Sequence, residues 1–149
     1  MSLNEEVELL RNIPLFSKID PSKLKLLAFA SERVTFGGSQ ELFHQGDHSD
    51  TAYIIVDGSA DVVVDTPGGE ISVALLAKND IVGEIGILCD VPRTATVRAI
   101  DSVTTLAISK DLFFQMVHEY PDMAIEIMRE LAQRLEKTTT QLREARSTA

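Results

Sequence analysis

Val82-Gly83-Glu84-Ile85-Gly86-Ile87-Leu88-Cys89-Asp90-Val91-Pro92-Arg93-Thr94-Ala95-Thr96-Val97-Arg98-Ala99 is the stretch on which the reading of this chain turns. It joins a glycine turn, an acid, a short apolar segment, and an arginine followed by small residues. Gly83 and Gly86 let a backbone approach a ligand closely. Amides at the start of a short helical turn can point at an anion. Arg93 offers a planar fork of donors that matches a phosphate. Glu84 would repel a phosphate, so beside one it needs another task, and accepting a hydrogen bond from a sugar hydroxyl is such a task. Taken singly, Glu84 reads better as a helix cap and Arg93 as a surface salt-bridge residue. The complete string favours the ligand reading.

That string resembles the phosphate-binding cassette of the cyclic nucleotide-binding domain family: Gly-Glu-apolar-small-apolar, a short spacer, then Arg-small-small-x-Val-x-Ala. The resemblance implies a site built from Gly83, Glu84, Ile85, Gly86, Arg93, Thr94 and Ala95. In it Glu84 would take the ribose 2′-hydroxyl, Arg93 would pair with the cyclic phosphate, and Thr94 would add a phosphate contact. It also implies a β jelly-roll flanked by helices.

Outward from the cassette, residues 32 to 108 carry short β-rich runs between turn residues. The runs are Arg33–Phe36, Glu41–His44, Thr51–Val56, Ala60–Val64, Glu70–Leu76, Ile81–Val82, Thr94–Ile100 and Val103–Ile108. Strands at this even spacing indicate a sandwich or barrel. Asp57-Gly58 is a hairpin signal, with Ala60–Val64 expected to return along Thr51–Val56. Gln45-Gly46-Asp47, Tyr53–Gly58 and Val62-Val63-Val64 are similar to family signatures in the same order. Gly38-Ser39-Gln40 departs from the Gly-Glu pair often found there, at a surface turn.

The flanks read as helical. Val7, Leu9, Leu10 and Ile13 form an apolar face that Pro14 interrupts. Asp20-Pro21 is a capping residue followed by proline at the first helical position. Ser109 caps a helix starting at Lys110, and Pro121 opens a long helix ending near Arg146. The expected architecture is therefore mainly β with flanking helices in a single domain, residues 1–149. It comprises N-terminal helices (1–31), a jelly-roll barrel (32–108) containing the cassette (82–99), and C-terminal helices (109–149).

In the last helix, Ala124, Met128, Leu131, Leu135, Thr138 and Leu142 are spaced as a heptad seam, which predicts a parallel dimer. The bland alternative is that the seam packs on the barrel. Thr138, Thr139 and Thr140 are poor helix-interior residues. The segment Ala132–Thr139 resembles the dimer helix of Crp/Fnr-type regulators, the catabolite-activator branch of the family. The resemblance implies that Thr138 and Thr139 bind adenine, one from each subunit, and that Arg134 lies near Glu84. The alternatives are a solvated helix end and a surface arginine.

Composition narrows the function. The 149 residues carry a formal net charge of −9. Such a surface opposes nonspecific binding to nucleic acid. Cys89 is the single cysteine, which excludes an internal disulfide and fits a reducing, cytoplasmic setting. His44, His48 and His118 are dispersed, and no metal is expected. There is no membrane-length apolar run. No helix-turn-helix follows the last helix, so the chain reads as a sensor without an output of its own. The expectation is a non-catalytic module for a cyclic nucleotide, cAMP first and cGMP possible, whose binding orders the C-terminal helix and acts on an unknown effector. Two alternatives remain. One is a ligand-binding domain of a larger Crp/Fnr-type regulator or other effector. The other is a degenerate interaction domain that no longer binds.

Overall fold

The structure, a computed structural model, describes residues 2–147; Met1, Thr148 and Ala149, the ends of the expected domain, lie outside the described residues. Helix α1 (Leu3–Arg11) starts where Ser2 Oγ accepts from the Glu5 amide, and a 3₁₀ turn at Pro14–Phe16 follows it. Asp20 accepts from the Ser22 amide to start α2 (Pro21–Ala30), with proline at the first turn as its missing donor allows. Strands β1 (Glu32–Phe36), β2 (Glu41–Phe43), β3 (Thr51–Asp57), β4 (Ala60–Thr66), β5 (Gly69–Leu76) and β6 (Ile81–Val82) lead to α3 (Glu84–Cys89). Then come β7 (Thr96–Ala99), β8 (Val103–Ser109), α4 (Lys110–Glu119) and α5 (Pro121–Ser147). The Ser109 hydroxyl accepts from the Leu112 amide at 3.1 Å and caps α4.

The strands form two antiparallel four-stranded sheets, ordered β1-β8-β3-β6 and β2-β7-β4-β5. This is the expected jelly-roll with flanking helices. One core lies between the sheets, with Phe36, Leu42, Ile55, Ala60, Val97, Ala99 and Val103. The other sits between the first sheet and the helices. There Ile54, Leu106 and Ile108 meet Phe16, Leu24 and Leu27, then Phe113, Met123 and Ile127. Burial of that helical face, about 1.5–3 kcal/mol for each large apolar side chain, fixes the helices on the barrel.

One expectation needs correction. Asp57-Gly58 does not close a hairpin. β3 pairs with β8 and β6, while β4 pairs with β5 and β7. The turn is there, but it carries the chain from one sheet to the other. Both edges of each strand are already taken, so the local turn chemistry does not choose the partner. The hairpin is β4–β5, closed by Pro67-Gly68-Gly69, with Thr66 opposite Gly69. The last helix runs unbroken from Pro121 through Thr138–Thr140 to Ser147, close to the expected end near Arg146, and Leu131 of the proposed seam packs against the helical core.

A candidate anion site at the cassette

Strand β6 delivers the chain to Gly83, whose φ of +92° makes the turn into α3. A side chain there would be strained and would meet Arg93 Nη1 at 2.7 Å and the Thr51 carbonyl oxygen at 3.0 Å. Gly86 is equally constrained, since a Cβ would run into Ser49 Oγ. The two glycines thus let α3 lie against β3 and the loop before it. Between α3 and the second sheet lies a cavity of about 170 Å³. Its floor is Gly83, Glu84, Ile85, Gly86, Arg93, Thr94 and Ala95, and its apolar wall is Phe43, Val62, Ile81, Val82 and Val97.

Arg93 is 5 % exposed. Its Nη2 donates to the Thr51 carbonyl at 2.7 Å and its Nη1 to the Gly83 carbonyl at 3.3 Å. Its guanidinium carbon stands 4.0 Å from the centre of the Phe43 ring. Nε has no hydrogen-bond partner among the described residues. No carboxylate there forms an ion pair with this arginine, although Asp47 and Asp50 lie near enough to favour its charge. Burial holds its pKa below the usual arginine value. The result is a desolvated cation held by neutral groups, with a donor to spare. A buried charge of this kind is costly unless a ligand compensates it.

Glu84 is 8 % exposed. Its Oε1 accepts from Arg134 Nη1 at 3.2 Å. Burial pushes its carboxyl above the usual range, and Arg134 opposes that shift. Arg134, partly buried on α5, also reaches Glu130 one helical turn back, at 3.8 Å. The cassette is thus tied to the last helix by one ion pair.

The structure therefore brings seven of the ten sequence candidates around one cavity. It adds Arg134 through Glu84. Thr138 and Thr139 are exposed on α5 and do not line the cavity. Sequence reasoning missed Phe43, and the two carbonyls that hold Arg93. An apolar residue in a strand gives no sign that its ring will face a cation. No group of three or more His, Cys, Asp and Glu side chains is placed to hold a metal among the described residues. No helix there is long and apolar enough to cross a membrane.

Comparison with known proteins bears on this geometry. Residues 33–120 match the family model described as the cyclic nucleotide-binding domain. An uncharacterised NTE family protein of Mycobacterium tuberculosis is 31 % identical over 129 residues, covering 87 % of this chain and 22 % of that protein. The CRP-like cAMP-activated global transcriptional regulator of the same organism is 26 % identical over 136 residues, covering 91 % of this chain and 61 % of the regulator. The chain thus spans only part of either relative. The crystal structure of the N-terminal domain of a transcriptional regulator from Streptomyces coelicolor superposes with a TM-score of 0.77 at 32 % identity, covering 87 % of this chain and 94 % of that one.

Proposed function

The chain belongs to the cyclic nucleotide-binding domain family, and from that premise we propose that it is a regulatory module whose ligand is cAMP. The observation that carries the proposal is the buried Arg93, which among the described residues has no carboxylate ion pair and no partner for its buried Nε, in a cavity lined by the cassette. A cyclic phosphate supplies the missing anion. Glu84, across the cavity floor, accepts the ribose 2′-hydroxyl while Arg134 holds its other flank. The apolar wall of Val62, Ile81, Val82 and Val97 receives the uncharged part of the nucleotide. Support for cAMP over cGMP comes from the cAMP-activated relative, while Thr94 is compatible with both. Both charged groups of the site bind rather than react, so the module is non-catalytic.

The second part of the proposal concerns α5. Met128, Leu135 and Leu142 are 59 %, 67 % and 57 % exposed and repeat every seven residues. An apolar stripe of that period suits a parallel helix pair. Ligand binding at Glu84 would act on α5 through Arg134, and the dimer would pass the signal to an effector such as a DNA-binding or other output domain.

Titration calorimetry with cAMP and cGMP tests the reading. The expected result is one site per chain, tighter for cAMP, with the nucleotide recovered unchanged after long incubation. A wild-type protein that takes up neither nucleotide is the degenerate interaction domain instead.

A further inference from the structure

We propose that Phe43 is the positioning residue for the Arg93 guanidinium, and that a stack of aromatic rings drawn from both sheets sets the strength of the phosphate contact. The inference rests on the cyclic nucleotide reading of the site. Phe43 stands 4.0 Å from the Arg93 guanidinium carbon. Its other neighbour is Tyr53, stacked at 6.2 Å and 29°. Tyr53 in turn meets Phe36 edge-on at 5.7 Å and 80°. The four planes run from the cassette through β2 of one sheet to β3 and β1 of the other.

The chemistry explains why a ring stands where a carboxylate would be the commoner partner. A carboxylate would hold the guanidinium but cancel its charge before the ligand arrived. A ring face attracts the cation through its quadrupole and leaves the net charge in place. The two carbonyls fix Nη1 and Nη2 within the guanidinium plane. The ring fixes the tilt of that plane, which in-plane hydrogen bonds leave free. Nε, buried and without a partner among the described residues, then keeps a fixed direction. A bound phosphate needs that direction, because charge-assisted hydrogen bonds from the arginine fork are strongly geometric. Tyr53 supports the ring from behind, and the Tyr53 hydroxyl, its pKa raised by burial, stays neutral beside the cation.

The test uses Phe43→Leu and Phe43→Tyr in the whole chain. cAMP and adenosine are titrated by calorimetry, and the Arg93 side-chain Nε–H resonance of the ligand-free proteins is followed by NMR. Phe43→Leu keeps an apolar wall and loses the ring. It is expected to weaken cAMP about 2- to 30-fold, the range a partly to fully desolvated cation–π contact supports. Adenosine, which lacks the phosphate, should change less than twofold. Phe43→Tyr should restore cAMP binding to within about threefold of wild type, the remaining ring contact being of the same kind. The Arg93 Nε–H signal should be ring-current shifted in the wild type and in Phe43→Tyr, and unshifted in Phe43→Leu. Equal losses for cAMP and adenosine make Phe43 a wall for the nucleoside and overturn the proposal. A wild-type Nε–H signal at the position of a free arginine overturns it without recourse to any variant. Wild-type protein that does not bind cAMP overturns the nucleotide reading instead, while the resonance still decides whether ring and cation are in contact.

Discussion

The cassette and the far half of α5 face different problems, though the sequence marks both. At the cassette every group has its place within one chain. Gly83 and Gly86 seat α3 against its neighbours, and Arg93 is fixed by two carbonyls and a ring. Beyond Arg134, α5 leaves the barrel, and Leu135, Thr138, Thr139 and Leu142 stand exposed. A buried cation can be held by local groups alone, whereas an apolar stripe on a projecting helix needs a second surface. The cavity is thus closed around Arg93 by groups of one chain, while α5 beyond Arg134 is left open.

The strongest way to break this contrast is to attack the open end. Leu135→Glu with Leu142→Glu should abolish a helix-paired dimer. Each leucine lost from such an interface removes about 1.5–3 kcal/mol of burial, and the new acids face each other across the seam. Light scattering should show dimers for the wild type and monomers for the variant. Leu131 is a poorer choice, since it also packs on the helical core. Wild-type protein that stays monomeric at high concentration, with and without cAMP, would remove the second surface from the account.

The closed end should fail through the ligand. Arg93→Ala should cost about 2–5 kcal/mol of cAMP affinity, as for breaking buried charged contacts at interfaces. That is about 30- to 5,000-fold by calorimetry. Unchanged titrations would sink the phosphate assignment. Gly86→Ala tests the seating of α3 separately from the ligand. Its Cβ meets Ser49 Oγ, and overpacking of this kind costs about 1–3 kcal/mol in urea unfolding. Adding Ser49→Gly should recover part of that loss.

A smaller effect lies at the joint between the two regions. Burial raises the folded-state pKa of Glu84 above its ordinary value of 4.5. Between those two values the folded state binds more protons than the unfolded state. The Glu84 contribution to stability is therefore present below the ordinary carboxyl pKa and is lost as pH rises through the raised folded value. Glu84→Gln should flatten that part of the stability curve. A curve identical to wild type from acid to neutral pH would remove Glu84 from this role.

The difference between the two regions also explains what could be read in advance. Glycine at Gly83, acid at Glu84 and arginine at Arg93 are chemically particular, and it was the resemblance of the whole string to the family cassette that implied one shared site. Strand positions were legible too, because alternation and turn residues are local. Pairing was not. Asp57-Gly58 specifies a turn, but the hydrogen bonds of β3 go to β8 and β6, which lie far away in sequence. Phe43 was hidden for a similar reason. In β2 it reads as core, and only the fold shows that the ring faces Arg93. Arg134 stood between these cases. Its reach to Glu84 spans 50 residues, and the resemblance of Ala132–Thr139 to a dimer helix was the signal for it.

The smallest expected effect concerns whether ligand closes the open end. Thr138 sits four residues after Arg134, so one face of α5 can present both. Arg134 already touches the cassette through Glu84, so Thr138 lies about one helical turn beyond that contact. If adenine rises toward α5 when the phosphate is seated on Arg93, the Thr138 hydroxyl, and Thr139 from the partner helix, can meet its edge. Each neutral hydrogen bond of this kind contributes about 0.5–1.5 kcal/mol. A hydroxyl both donates and accepts, so the preference for adenine over guanine from these contacts alone is mild. Contacts of this kind would exist only with α5 docked, so under that proposal ligand would shift the population toward the docked helix. Amide exchange across residues 130 to 142 should slow when cAMP is added. The slowing should shrink in Thr138→Val with Thr139→Val, while the phosphate-dependent part of the affinity survives. Exchange in this segment that ignores saturating cAMP would mean that the cassette binds its nucleotide without speaking to the helix.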